Sequence, residues 1–315
     1  MKRKTLTIVA GAAAVTMALA ACGSSTKSSG GSTTSSSGSI ASKLILGGPP
    51  EFKTRAYGIA GLDRIYGVTF GTFKALDEGG PLTITALKNG QIDAGDIFTT
   101  DPSIPADNFV VLDDPKNLFA AQDVLPLINS VKATTGVKEV LNAISAKITT
   151  ADLIALNVKV EADKDDPDTV AKQWLSTAGL DTAGTEAAGS SLTVGSANFP
   201  ENVVLADIYA EALKAQGAKI STKLNIGSRE TYIPGLKDGS IDLIPEYSGN
   251  LLEYLDPTAT AVSSGDVYAA LQKALPAKLI VLNQSDAQDK DAIVVTKATA
   301  AKYHLTSIAD LANPS

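Results

Sequence analysis

The sequence predicts an α/β fold divided into two lobes, on three observations. Along residues 43–315, short apolar runs alternate with punctuated amphipathic stretches, which argues for strand–helix layers rather than a β-sandwich. A seven-residue segment occurs twice: Leu87-Lys88-Asn89-Gly90-Gln91-Ile92-Asp93 and Leu236-Lys237-Asp238-Gly239-Ser240-Ile241-Asp242. Between the two halves, residues 182–191 (Thr-Ala-Gly-Thr-Glu-Ala-Ala-Gly-Ser-Ser) are small, polar and aperiodic, and read as a linker.

Each element follows from local pattern. The strand-like runs are Leu44–Leu46, Phe109–Leu112, Leu192–Val194, Leu279–Leu282 and Ile293–Val295, all apolar and of strand length. Asp166-Pro167 opens a helix whose apolar face includes Val170, Trp174 and Leu175, and Gly179 closes it. Pro200 opens another, with Val204, Ile208, Ala212 and Leu213 at helical spacing and Gly217 as its stop. The repeated segment reads each time as a helix end, a glycine free to take a left-handed cap, and a strand opening with Ile-Asp. Either one lobe plan is used twice, or a common helix-Gly-strand unit recurs by chance.

Composition removes several function classes. The 315 residues suffice for about two domains. With 44% hydrophobic and 19% charged residues, a packed core is available and wholesale disorder is excluded. Lys and Arg number 27 against 34 Asp and Glu, a net charge of −7. An acidic chain without a basic run is a poor nucleic-acid binder, since phosphate neutralisation needs clustered cations. The single cysteine excludes an internal disulfide framework and a cysteine-based zinc site. The single histidine, His304, sits at the end of a helical stretch as a surface residue. No cofactor and no metal ligand set is expected.

The first 22 residues account for the cysteine. Lys2, Arg3 and Lys4 form a positive start, Leu6–Ala18 an apolar stretch too short and alanine-rich for a spanning helix, and Leu19-Ala20-Ala21-Cys22 resembles a bacterial lipoprotein processing site. Acylation at Cys22 would anchor the processed chain to a membrane on the extracytoplasmic side, one acyl chain alone being marginal. Residues 23–42, with ten serines, have the composition of a flexible Ser/Gly-rich linker.

Several motifs together carry a family resemblance. They are Gly195-Ser196-Ala197-Asn198-Phe199-Pro200-Glu201, Asn225-Ile226-Gly227-Ser228-Arg229-Glu230 and Pro245-Glu246-Tyr247-Ser248-Gly249 in the second half. In the first half they are Gly47–Arg55, Asp96–Asp101 and Leu112–Asn117. The chain resembles the substrate-binding proteins of osmoprotectant ABC transporters, of the glycine betaine, choline and carnitine type. The resemblance implies a two-lobed, type II periplasmic-binding-protein-like fold, a small zwitterionic or quaternary-ammonium-like solute, permease subunits as partners, a monomer and no enzymatic activity. The motif order is exchanged relative to that family, so the chain reads as circularly permuted, with old ends joined through 182–191. One lobe is then expected to combine 43–104 with 291–315 and the other to run over 105–290, with crossings near Pro102–Asn108 and Asp289–Ala292.

The resemblance also implies the site. Tyr247 matches a ligand-stacking tyrosine, and Phe98 stands where the other lobe contributes an aromatic ring. Thr99, Thr100 and Ser248 lie beside them as hydrogen-bonding candidates. Ser196 and Asn198 precede the helix opened by Pro200, whose free N–H groups suit an anionic ligand group. Arg55 and Arg229 are candidate carboxylate clamps. Asp291 and Gln122 fall where further cage aromatics are expected, which suits a ligand bearing N–H donors better than a bare trimethylammonium. Two competing classes stay open: a solute-sensing lipoprotein without a transport role, and a hydrolase using a carboxylate pair such as Asp242 and Glu246.

Overall fold

The computed structural model describes residues 38–315. The expected signal segment 1–22 with Cys22, and the linker up to residue 37, lie outside the described residues. The linker ends earlier than residue 42: Ile40 and Ala41 are buried in a core, and Ser39 bridges to Pro314. Two apolar side chains with a buried surface available to them are not part of a solvated coil.

Ten strands form two five-stranded sheets. The first contains β1 (Ile45–Gly48), β2 (Thr72–Ala75), β3 (Ala94–Phe98), β4 (Phe109–Val111) and β10 (Asp291–Thr296), in the order β2-β1-β3-β10-β4. The second contains β5 (Val124–Asn129), β6 (Ser191–Gly195), β7 (Lys219–Lys223), β8 (Leu243–Tyr247) and β9 (Leu279–Val281), in the order β7-β6-β8-β5-β9. In each, three parallel strands are followed by a fourth antiparallel to its neighbour and a fifth antiparallel to the fourth. The two sheets therefore follow one plan, as the repeated segment suggests. Gly90 and Gly239 both hold positive φ, at 67° and 81°, after helices Pro81–Lys88 and Arg229–Asp238. Each segment then leads into the central strand of its sheet, β3 or β8, which starts at the residue directly after the Ile-Asp pair rather than with it.

The fourth strand of each sheet comes from across the molecule. The chain leaves β4 for β5 in the second sheet and leaves β9 for β10 in the first, so two crossings join the lobes. The first crossing is not at Pro102–Asn108. Phe109–Val111 still pairs with β10, and Leu112, Leu118 and Phe119 are buried in the first lobe's core. The first lobe thus extends to about residue 119, because β4 and the segment after it have apolar surface that only this core covers. The second crossing lies between Val281 and Asp291, and an antiparallel bridge from Asp123 to Gln288 ties the two crossings together.

The helix opened by Pro200 runs to Ala215 and is buried on nearly all sides in its first half, with Val204, Leu205, Ile208 and Leu213 at 0% exposure. Burying one such side chain is worth about 1.5–3 kcal/mol, so this helix is the main apolar buttress of the second sheet. Helix Pro167–Ala178 packs against it and ends at Gly179 with φ 66°. Residues 182–191 are not a free linker. Gly184 and Ala187 donate backbone hydrogen bonds to Ala215 and Gln216, Ala187 is 1% exposed, and Ser191 already belongs to β6. At the other end, Lys43 Nζ donates to the Ser315 carbonyl at 3.3 Å, so the ends of the described chain meet.

Candidate functional site

The seam between the lobes is lined by side chains from strand ends and crossings. Phe98 closes β3 and Tyr247 closes β8, equivalent positions in the two sheets, so both aromatics reach the seam from strand C-termini. Phe199, the residue before helix Pro200–Ala215, stands between them. Its ring centroid lies 5.1 Å from that of Phe98 and 5.9 Å from that of Tyr247. Three packed rings therefore line the cleft, with the Tyr232 ring beside them. Gly79 makes this possible: at φ 61°, a Cβ there would come within 2.9 Å of the Phe98 ring. Around the rings stand Arg55, Glu78 and Asn250, with Asp289 from the second crossing. In this state the enclosed space takes about one water molecule, so the two sides must part for a solute to enter.

A carboxylate hub holds the seam. Tyr247 Oη donates to Glu201 Oε1 at 2.7 Å, while Thr100 Oγ1 at 2.7 Å and Asn157 Nδ2 at 2.6 Å donate to Oε2. Glu201 thus ties the cleft tyrosine of one lobe to Thr100 of the other. Asp289 takes the Thr100 backbone N–H at 3.1 Å and the Thr99 hydroxyl at 3.3 Å. Burial pushes both Glu201 and Asp289 above the usual carboxylate range, against the hydrogen bonds that favour their charged forms.

Asp291 and Gln122 meet on one residue. Asn250 Nδ2 donates to Asp291 Oδ2 at 2.6 Å, and Gln122 Nε2 donates to Asn250 Oδ1 at 2.5 Å. Gln122 Oε1 also accepts the Asn250 backbone N–H at 2.9 Å. Gly249 permits the close approach, since a Cβ there would lie 2.6 Å from the Ala121 carbonyl. Asp291 does not stand as an isolated negative charge. It is buried at 2% exposure beside the equally buried Asp96, whose carboxyl burial first and the Asp291 charge second push well above the usual range.

The arginines differ. Arg229 Nε donates to both oxygens of Glu246, at 3.1 and 3.2 Å, and Nη2 donates to Oε2 at 2.8 Å, with Tyr232 Oη adding a bond of 2.7 Å. Burial, the largest single influence, would lower the Arg229 pKa, but the Glu246 charge and hydrogen bonds together with Tyr232 and Tyr57 raise it overall. With its fork on Glu246, Arg229 is a structural cation at the cleft wall rather than a free carboxylate clamp. Arg55 Nη1 pairs with Glu78 at 2.7 Å, but its buried Nη2 has no hydrogen-bond partner.

Two other expected residues have local duties, and a third has none. Ser196 accepts the Asn225 N–H and donates to the Ala197 carbonyl, and Ser248 donates to the Ala121 carbonyl and accepts the Asp123 N–H. Asn198 is exposed and caps nothing, while Asn202 takes the Ala197 N–H at 2.7 Å. The Ala197 N–H, ahead of the helix, is thus taken by a side chain from the helix's first turn. The Asp242–Glu246 pair is separated by four strand residues, about 13 Å, beyond the spacing of a glycosidic carboxylate pair. Among the described residues no cluster of His, Cys, Asp and Glu is placed to hold a metal ion, and no helix is long and apolar enough to cross a membrane.

Phe199, Glu201, Asn250 and Glu78 were not singled out from sequence. The first three lie within or one residue beyond the quoted motifs, so their signal was adjacency. Glu78, in an Asp-Glu-Gly-Gly turn, had none.

The deciding comparison is with protein-family models. The model for the substrate binding domain of ABC-type glycine betaine transport systems, OpuAC, matches residues 24–177 and 190–315. The chain belongs to this family. Among its curated relatives is the carnitine transport binding protein OpuCC of Listeria monocytogenes, 32% identical over 96 residues, 30% of this chain and 31% of that protein. The glycine betaine-binding protein YehZ of Escherichia coli (strain K12) is 30% identical over 128 residues, 39% of this chain and 42% of that protein. The aligned stretches thus span about a third to two fifths of these relatives. A solved ABC uptake transporter substrate binding protein from Streptococcus pneumoniae with bound histidine covers 86% of this chain and 84% of its own, at 9% identity and a TM-score of 0.43.

Proposed function

We propose that this chain is the extracytoplasmic receptor of an ABC importer and captures a small zwitterionic or cationic solute of the osmoprotectant class between its lobes. The observation that carries this reading is the ring trio Phe98, Phe199 and Tyr247 at the seam, with Glu78 and Asp289 beside it. Each ring face offered to a desolvated cation is worth about 0.5–2 kcal/mol. Glu78 and Asp289 add acceptors that an N–H donor satisfies and a permethylated ammonium leaves unpaired. A solute in the seam then favours lobe closure by its extra contacts in that state. Permease subunits read the closed form, Cys22 carries the lipid anchor, and the receptor acts as a monomer. The meeting of Lys43 with Ser315 supports a permuted motif order.

Calorimetry on the processed chain with glycine, sarcosine, dimethylglycine, glycine betaine and L-carnitine tests this. Affinity should peak before full methylation, and Tyr247→Ala should weaken every binding member at least tenfold. No binding across the series overturns the solute class. Affinity rising steadily to glycine betaine overturns the role given to Glu78 and Asp289.

A further inference from the structure

Beside the ring trio, at the mouth of the same seam, lies a second cavity of about 350 Å³. One lobe lines it with Arg55, Tyr57 and Arg64, the other with Glu230, Glu253 and Tyr254. That volume falls within the range of small-molecule sites. It exceeds the space enclosed by the rings in this state.

Two polar atoms in its wall lack hydrogen-bond partners. Tyr57 is 2% exposed, and its hydroxyl makes no hydrogen bond. Nη2 of Arg55, on a side chain 8% exposed, makes none either, and Glu230 stands 3.6 Å from it. Unpaired buried polar atoms are rare in native interiors and mark places where a further partner belongs. Arg55 lines both cavities and so connects them.

We propose that this outer chamber is a second solute site, taking a small zwitterion with its cationic end toward Glu253 and the Tyr254 ring and its anionic end on Arg64, beside the Arg55 guanidinium. The charge inventory selects this class. A plain anion would face Glu230 and Glu253, a plain cation would face two guanidinium groups, and a zwitterion meets a complement at both ends. Burial first, then the Asp291 charge, pushes the Glu253 carboxyl up to about 8, with Arg64 and Arg229 pulling it back. A cation arriving beside it favours the charged form, so occupancy near pH 7 expels a proton. The chamber would hold a second solute at the mouth while the ring site is occupied. The solute class rests on the function proposed above, but the site and its residues are separate.

Equilibrium dialysis of the processed chain with labelled dimethylglycine, glycine betaine and L-carnitine, carried to high solute concentration, tests this. Calorimetry at pH 7 in buffers of different ionisation enthalpy reads the proton. The wild type should bind a second, weaker equivalent with proton release. Glu253→Gln and Arg64→Ala should each lose that equivalent, and Glu253→Gln should lose the proton release. Tyr247→Ala should lose the tighter event and keep the weaker one. A single equivalent in the wild type, or two in both Glu253→Gln and Arg64→Ala, overturns the outer site and leaves the receptor reading standing. No binding of any probe by the wild type overturns both.

Discussion

Replacing Arg229 with alanine should destabilise the protein far more than removing a surface arginine would. Arg229 is 5% exposed and Glu246 0%, and three hydrogen bonds join them. Removing one partner of a buried ion pair leaves an uncompensated charge and costs about 3–5 kcal/mol. For a described body of roughly 280 residues, an unfolding entropy of about 2.1 cal/mol/K per residue converts this into a loss of about 5–9 °C in Tm. Differential scanning calorimetry measures it directly. The diagnostic arm is Glu246→Gln placed in the Arg229→Ala background. The amide carries no charge yet keeps an acceptor for Tyr232 Oη, which reaches Glu246 at 2.7 Å, so at least half of the lost Tm should return. A loss under 2 °C in the single variant, or no recovery in the double, would refute the buried-pair reasoning and return Arg229 to the list of free ligand clamps.

Three more outcomes follow from the same geometry. Asn250→Leu keeps the branched shape but removes the partner shared by Gln122 and Asp291. At about 1–3 kcal/mol for each orphaned polar group, it should lower Tm and solute affinity together, by calorimetry. Gly79→Ala strains a positive φ and pushes on Phe98, so it should weaken solute binding, whereas Gly239→Ala, with positive φ and nothing within 4 Å of its Cβ, should cost stability alone. Burial, reinforced by Asp101 and Glu201, pushes the Glu161 carboxyl up to about 8, and burial raises Asp207 to about 6. Between the ordinary carboxylate range and pH 8 the folded chain therefore holds more protons than the unfolded one. Stability falls as pH rises through that window, and Glu161→Gln should flatten a plot of Tm against pH.

What the sequence made legible was what depends on local pattern. Leu192–Val194 and Ile293–Val295 are strands because a short apolar run inside a layered fold has little else to do, and Gly179 and Gly239 end helices because only a left-handed residue fits there. Strand β7, Lys219–Lys223, was missed because it is an edge strand with mostly exposed side chains and so lacks an apolar signature. The boundary at Pro102–Asn108 failed for a related reason. A prolyl loop looks like a hinge, but whether the chain leaves a sheet depends on whether the next strand still pairs in it, which Phe109–Val111 does. In the site, Tyr247 and Phe98 were visible through motifs. The assignment of Arg229 to Glu246, and of Ser196 and Ser248 to backbone groups, depends on distances that no spacing in the chain encodes.

The two positions where the family resemblance implies further aromatics, Gln122 and Asp291, are also the positions where the chain changes lobes. Gln122 lies on the first crossing, Asp289 and Asp291 lie at the end of the second, and the Asp123–Gln288 bridge fastens the crossings to each other. An aromatic ring at either position would contribute a surface and leave the crossing without a polar tie. Gln122 and Asp291 instead bind Asn250, which also lines the cleft, so one chain of hydrogen bonds runs from hinge to ligand space and back to hinge. A solute that engages Asn250 or Asp289 therefore acts on the crossings directly, without an intervening layer of side chains. A ring introduced at Gln122 or Asp291 should change the preferred solute and the opening equilibrium together, because both side chains bind the cleft residue Asn250 and both lie at the crossings, while the Glu201 tie to Thr100 stays intact.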